Sequence, residues 1–205
     1  PQCPPSPSSS SSAVTKGLLI LWAVPGQEGR PLKPPTVQQT QSLVKLMADD
    51  AQELFKFYKN DQFQGIHNIL PTKKPPKWLQ GSCGLKKLWE PMTHMDQALH
   101  SLIQHQHNLN PPDAEILRRL TNTHRNVRGL LSNLAGLFPA LSTRPRLPPS
   151  PSPAGPAGIF QQKLQGFHIL GSYARFMAKC SGQLEGRSSR QRQRSHWGSG
   201  KPAHS

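Results

Sequence analysis

Acidic residues are scarce in this sequence, 10 Asp and Glu against 25 Lys and Arg, which leaves a formal charge of +15 over 205 residues. So positive a balance favours contact with polyanions such as heparan sulfate, nucleic acid or an acidic membrane face, and does not choose among them. Cysteine is scarcer still. Cys3, Cys83 and Cys180 permit at most one intramolecular bridge, and none has the CxxC spacing of a zinc or redox site. No apolar run approaches the ~20 residues that span a bilayer, so membrane insertion is not expected. No Asn-x-Ser/Thr acceptor occurs, so N-glycosylation is not expected either. A glycine-rich phosphate loop, a nucleophile elbow and paired acids are all missing. His94, His100, His105 and His107 gather in one segment, but His105 and His107 diverge on a helix and the spacing of known metal ligands is absent. Catalytic, cofactor and metal sites are therefore excluded from the reading, and no enzyme activity is expected.

What the sequence does contain is sharply partitioned. Its 22 prolines and 16 glycines concentrate in the first 35 residues, between Arg144 and Gly158, and in the tail. The segments between are almost free of breakers and form the folded part, a single domain large enough to bury a core without staples. Gly17 to Val24, behind Lys16 and ahead of Pro25-Gly26, resembles the apolar core of a secretory signal, so secretion is expected. Arg187, Arg190, Arg192, Arg194 and Lys201 lie in a tail with hardly any large apolar residue other than Trp197. The reading is a leader or disordered segment over 1–35, a four-helix domain over 36–181 and a basic disordered tail over 182–205.

Four amphipathic stripes define that domain. From Thr36 to Lys59, Val37, Thr40, Val44, Met47, Ala48, Ala51, Leu54, Phe55 and Tyr58 recur at helical spacing and predict helix A. Leu85, Leu88, Met92, Met95, Leu99 and Leu102 predict helix B, entered near Glu90-Pro91 because proline suits a first helical turn, and ending near His107. Pro111-Pro112 stops it, and Asp113 is expected to cap helix C. That helix carries Leu117, Leu120, His124, Val127, Leu131, Leu134, Phe138 and Leu141 before Arg144-Pro145 ends it. Helix D runs from Ile159 to about Lys179, with Phe160, Leu164, Phe167, Leu170, Gly171, Ala174, Met177 and Ala178 on its apolar side.

The connections select the topology. About 30 residues separate A from B, about five separate B from C, and about 17 separate C from D. A helix of about 22 residues is about 33 Å long, so a link that returns along it needs roughly ten extended residues, whereas a link of about five forces antiparallel neighbours. Long, short, long gives up-up-down-down, the topology of growth-hormone and cytokine bundles. The fold class expected is all-α, a long-chain four-helix bundle.

Read together, "QTQSLVKLMADDAQELFKFY" in helix A, "LNPPDAEILRRL" and "RGLLSN" in helix C, and "FQQKLQGFHILGSYARFM" in helix D resemble the branch of the interleukin-6 family that holds leukaemia inhibitory factor, oncostatin M, cardiotrophin and ciliary neurotrophic factor. The resemblance implies a secreted cytokine that dimerises cell-surface receptors and activates JAK/STAT signalling. By pattern alone Phe160 reads as a packing residue at a helix start and Lys163 as solvated. The family presents Phe and Lys at this place to a leukaemia inhibitory factor receptor-type chain, or to an oncostatin M receptor-type chain, which implies that Phe160 and Lys163 are receptor contacts.

On the helical wheel, Gln39, Ser42, Leu46, Asp49 and Glu53 oppose Val44, and Arg125, Gly129, Ser132 and Gly136 oppose Val127. Two mid-helix glycines on one outward face point to close approach of a partner, since each costs about 1 kcal/mol relative to alanine. The family's A/C face binds glycoprotein 130, and Gln39, Ser42, Gly129 and Ser132 match residues that leukaemia inhibitory factor places there. Arg125 and Leu46 depart from that pattern, standing where the factor has an acid and a glutamine. Cys83 falls where the factor has a loop cysteine bonded to helix D, but the matching helix D position is Phe167. Cys83 is then either free or bonded elsewhere, with Cys180 a candidate. The ligand is expected to act as a monomer, with heparan sulfate a partner for its basic tail. The competing expectation is an intracellular basic helical protein that binds nucleic acid or another polyanion.

Overall fold

The computed structural model of the chain describes residues 34–64, 74–141 and 158–197, with the side chains of the last helix described to residue 186. The leader-like segment, Cys3, Arg144-Pro145 and the side chains of the basic tail lie outside these. The four helices fall within one compact unit, Pro34–Ser205. They are α1 (Val37–Gln62), α2 (Trp89–His107), α3 (Glu115–Leu137) and α4 (Ile159–Trp197), with short 3₁₀ turns at Lys77–Leu79, Leu85–Leu88 and Pro139–Leu141.

Each boundary has a local cause. Thr36 opens α1 through a capping box: its hydroxyl accepts from the Gln39 amide at 3.1 Å, and the Gln39 side-chain oxygen accepts from the Thr36 amide at 3.0 Å. Pro91 lies buried in the first turn of α2, where its missing N–H leaves no partner wanting. Asp113 does not cap α3. The Ala114 amide donates to the Pro111 carbonyl at 3.0 Å, closing a turn that contains Asp113, and Ala114 becomes the cap residue without a side-chain bond. Glu115 occupies the first turn instead, pairing with Arg118 and with Arg119; these guanidinium groups hold its carboxyl down near 2. Pro139 ends α3 earlier than its stripe implies, yet the 3₁₀ turn that follows still buries Leu141.

The last helix runs well past Lys179. No proline interrupts it before Trp197, nothing crowds Gly182 or Gly186, and each glycine costs only about 1 kcal/mol in a helix. Leu184 is buried in the core and Glu185 pairs with Lys45 at 2.9 Å. The expected boundary at 181/182 therefore falls inside a helix, not at the start of a disordered tail.

Helix directions follow from which residues meet. Between α1 and α4, Gln52 donates to the Ala174 carbonyl and Tyr58 to that of Lys163, while Lys45 meets Glu185, so numbers rise on one helix as they fall on the other. Between α1 and α3, Asp50 accepts from Thr123 and Phe57 stacks under Arg119. Asp96 of α2 meets His124 of α3 at 2.8 Å across the short link. Cys83 is bonded to Cys180, which answers the open cysteine question, and Leu102 packs by Gly166. Both α1 and α2 are thus antiparallel to their partners in α3 and α4, which is the up-up-down-down arrangement.

Val44, Met47, Leu54 and Tyr58 of α1, Met92, Met95 and Leu99 of α2, Leu120, Val127 and Leu134 of α3, and Phe167, Leu170 and Met177 of α4 are buried as their spacing dictates. Leu130 and Tyr173, outside the expected stripes, are buried as well, whereas His124 and Leu131 are only partly buried and Ala178 is exposed. Val37, at the outer end of its stripe, is exposed. Among the described residues there is no strand, and no helix is long and apolar enough to cross a membrane.

Candidate functional site

At one end of the bundle, the last turns of α1 and the first turns of α4 share an aromatic layer. Phe55 lies 5.2 Å from Phe167, Phe167 meets Phe63 edge-on at 5.4 Å, and Phe63 meets Phe160 edge-on at 6.5 Å. Such edge-to-face pairs let the positive rim of one ring approach the negative face of another. The inner rings, Phe63 and Phe167, are buried. The outermost, Phe160, is 57% exposed, and its neighbour Ile159 is 59% exposed.

Lys163 follows one turn later and is half-buried. Its backbone carbonyl accepts from the Tyr58 hydroxyl at 3.1 Å, and Gln106 donates to the same hydroxyl oxygen at 3.5 Å. Asn110 in turn donates to the Gln106 side-chain oxygen at 2.7 Å. Burial, with a smaller push from the Asp61 charge, moves the Tyr58 phenol up, so it remains a donor at any physiological pH. Gly166 makes this contact sterically possible, since a Cβ there would lie 2.8 Å from Tyr58 Cζ and 2.9 Å from Leu102 Cδ1. The turn that carries Phe160 and Lys163 is thus fixed from beneath by a buried polar chain.

The α1/α3 face is built differently. Pro35 sits by Gly136, Asp50 by Thr123 and Phe57 by Arg119, so Gln39 comes level with Ser132 and Ser42 with Gly129. Gln39, Ser42 and Ser132 are exposed, and Leu46 stands out as an apolar residue 43% exposed between them and Arg125. Gln39 also serves the fold, as the reciprocal member of the α1 capping box. The two glycines separate. A Cβ on Gly136 would lie 2.9 Å from Pro35 Cγ, so that glycine has an intramolecular cause; a Cβ on Gly129 would meet nothing within 4 Å. Gly129 has no such intramolecular cause among the described residues.

Sequence reasoning placed Phe160 and Lys163 on one turn and the four α1/α3 residues on one face, and the structure brings each set together, at opposite ends of α1. It missed Ile159 as part of the exposed surface, although an isoleucine directly before the phenylalanine was a readable signal. It also missed Tyr58, Gln106 and Gly166 beneath the site, for which the sequence offers no cue until the register of α1 against α4 is known. Among the described residues no cluster of His, Cys, Asp or Glu has the makings of a metal site.

The chain is similar to known proteins over the same elements. The LIF / OSM family model matches residues 77–184, more than half of the chain. Cardiotrophin-1 of Mus musculus is 27% identical over 169 residues, covering 72% of this chain and 83% of the relative. Cardiotrophin-1 of Homo sapiens is 26% identical over 168 residues with the same coverage of both. The chain belongs to the LIF / OSM family: it is a four-helix-bundle cytokine and not an enzyme, of a kind that is normally secreted and binds cytokine receptors.

Proposed function

We propose that this cytokine acts as a monomer that brings two receptor chains together and so activates JAK/STAT signalling. In this reading Gln39, Ser42, Gly129 and Ser132 engage glycoprotein 130. Phe160 and Lys163 engage a leukaemia inhibitory factor receptor-type or oncostatin M receptor-type chain. The observation that carries it is the pair Ile159 and Phe160, left 59% and 57% exposed above the buried rings of Phe63 and Phe167. Covering a large apolar side chain contributes roughly 1.5–3 kcal/mol, so the pair forms a natural anchor, and the Lys163 ammonium beside it would orient a partner acid.

Two surfaces at opposite ends of α1 suit a cross-linking ligand. Gln39 and Tyr58 are separated by roughly 30 Å at 1.5 Å per residue, enough for two chains to bind without collision. Secretion through the leader-like segment at Gly17 to Val24 belongs to the same proposal.

Changing Phe160 and Lys163 together to alanine should abolish receptor phosphorylation in cells bearing glycoprotein 130. Helical circular dichroism and melting should hold, because the edge-on contact with Phe63 is worth only about 1 kcal/mol. Unfolding alongside the loss would make Phe160 a core residue, and retained activation would remove it from the contact.

A further inference from the structure

At the opposite end of the bundle from Phe160, the segment that leads into α2 forms a cleft of about 460 Å³ whose lining includes Lys77, Lys86, Lys87, Trp78, Trp89 and Glu90. This is within the size range of small-ligand sites, and its chemistry is unusual for an incidental crevice. Three exposed lysines and one exposed glutamate line it, and none of the three lysines forms an ion pair among the described residues. Surface lysines held around a concave wall focus a positive potential instead of dispersing it. The two partly buried indoles add apolar ring surface to the same lining.

The cleft is also held in shape. The Trp78 ring is backed by the imidazole of His94, 5.5 Å away and nearly parallel. Lys179 of α4 donates to the Gly81 carbonyl at 3.4 Å, and its neighbour Cys180 is bonded to Cys83. Two consecutive residues of the last helix therefore pin the loop that forms the cleft floor, by hydrogen bond and by covalent bond. A wall fixed before a ligand arrives loses less entropy on binding.

We propose that this cleft binds a segment of a sulfated glycan chain, with Lys77, Lys86 and Lys87 pairing with sulfate groups and the Trp78 and Trp89 rings lying against the sugar faces. Cations spaced around aromatic walls match a polymer that alternates anionic substituents with apolar ring faces. Sulfated glycans are the abundant polyanions of the extracellular setting in which this family acts. The site lies at the other end of the bundle from Phe160, so its occupancy would hold the cytokine at a cell surface while leaving Phe160 free.

The test measures the full chain against a heparin-derived hexasaccharide by calorimetry, with a thymidine hexanucleotide as a second probe. Three variants are compared: Lys77, Lys86 and Lys87 to alanine; Lys56, Lys59 and Arg128 to alanine; and Arg187, Arg190 and Arg192 to alanine. Each removes three positive charges. The cleft variant should bind the hexasaccharide at least about tenfold more weakly with unchanged melting, and the α1/α3 variant should bind within about twofold of the unaltered chain. Equal weakening in the cleft and α1/α3 variants would reduce the effect to net charge and overturn the site. Loss confined to the tail variant would overturn it in favour of the tail. A hexanucleotide bound as tightly, and lost with the same three lysines, would overturn the assignment to a glycan. Binding is read on the isolated protein, so these outcomes are independent of receptor activation.

Discussion

The two ends of the bundle are closed by different means. Where α1 finishes and α4 begins, closure is by packing: rings stacked edge to face, a tyrosine hydroxyl on a backbone carbonyl, and a glycine that lets the helices approach. Where α2 begins, closure is by a Cys83–Cys180 bond that ties a loop rich in lysine and tryptophan to α4. Packing stops abruptly at the edge of a helix pair, so the first end presents apolar surface, Ile159 and Phe160, to the outside. A covalent tie asks little of the side chains around it, so the second end is free to carry charge. One bundle thereby has two chemically distinct ends, with exposed apolar surface at one and lysine-rich surface at the other.

Removing the covalent tie is the strongest way to break this contrast. Changing Cys83 and Cys180 together to serine opens a link across 97 residues and should cost about 4 kcal/mol in denaturant unfolding. Amides over residues 77–88 should lose hydrogen-exchange protection while those of residues 55–62 keep theirs. Equal loss at both would mean that the ends are not independent.

The complementary change is Gly166→Ala, which thrusts a methyl group against Tyr58 and Leu102 and should destabilise by about 2 kcal/mol. It should also reduce receptor activation, because the turn that carries Lys163 is displaced, and it should leave the lysine cleft unaffected. Thermal unfolding and a signalling assay on the same preparation would test both parts.

A smaller effect of opposite sign is expected on the α1/α3 face. Gly129→Ala meets open space and should stabilise α3 by about 1 kcal/mol. If glycoprotein 130 approaches the backbone there, the same variant binds it more weakly. Unchanged receptor affinity in a more stable protein would leave Gly129 without a role in recognition.

Much of the fold was readable because helical stripes and link lengths are local properties. Val44, Met95, Val127 and Phe167 mark core faces by spacing alone, and the long, short, long connections specify which helices run together. What could not be read depends on residues distant in sequence. Cys83 and Cys180 become partners only once α2 and α4 are set side by side. Gly136 looks like Gly129 on a helical wheel until Pro35 is found against it. Asp113 was the better cap by type, but the turn begun at Pro111 uses that position. The end of α4 escaped because Arg, Ser and Gln in a tail look disordered by composition, while helix propensity and the burial of Leu184 carry the helix onward. The candidate site was legible as positions on helix faces; the exposure of Ile159 and the Tyr58 support beneath Lys163 required the packed molecule.

The pairing of α1 with α4 has a consequence for how the chain is made. Contacts such as Gln52 to Ala174 join residues 122 apart, so the first of the four bundle helices to leave the ribosome is the one whose apolar stripe waits longest for cover. Such distant pairings must wait for α4 to be made, and an uncovered stripe on a nascent chain invites aggregation. Synthesis of this cytokine should accordingly depend on protection of α1 until α4 has emerged, and truncations that remove the last helix should yield insoluble chains instead of smaller folded ones.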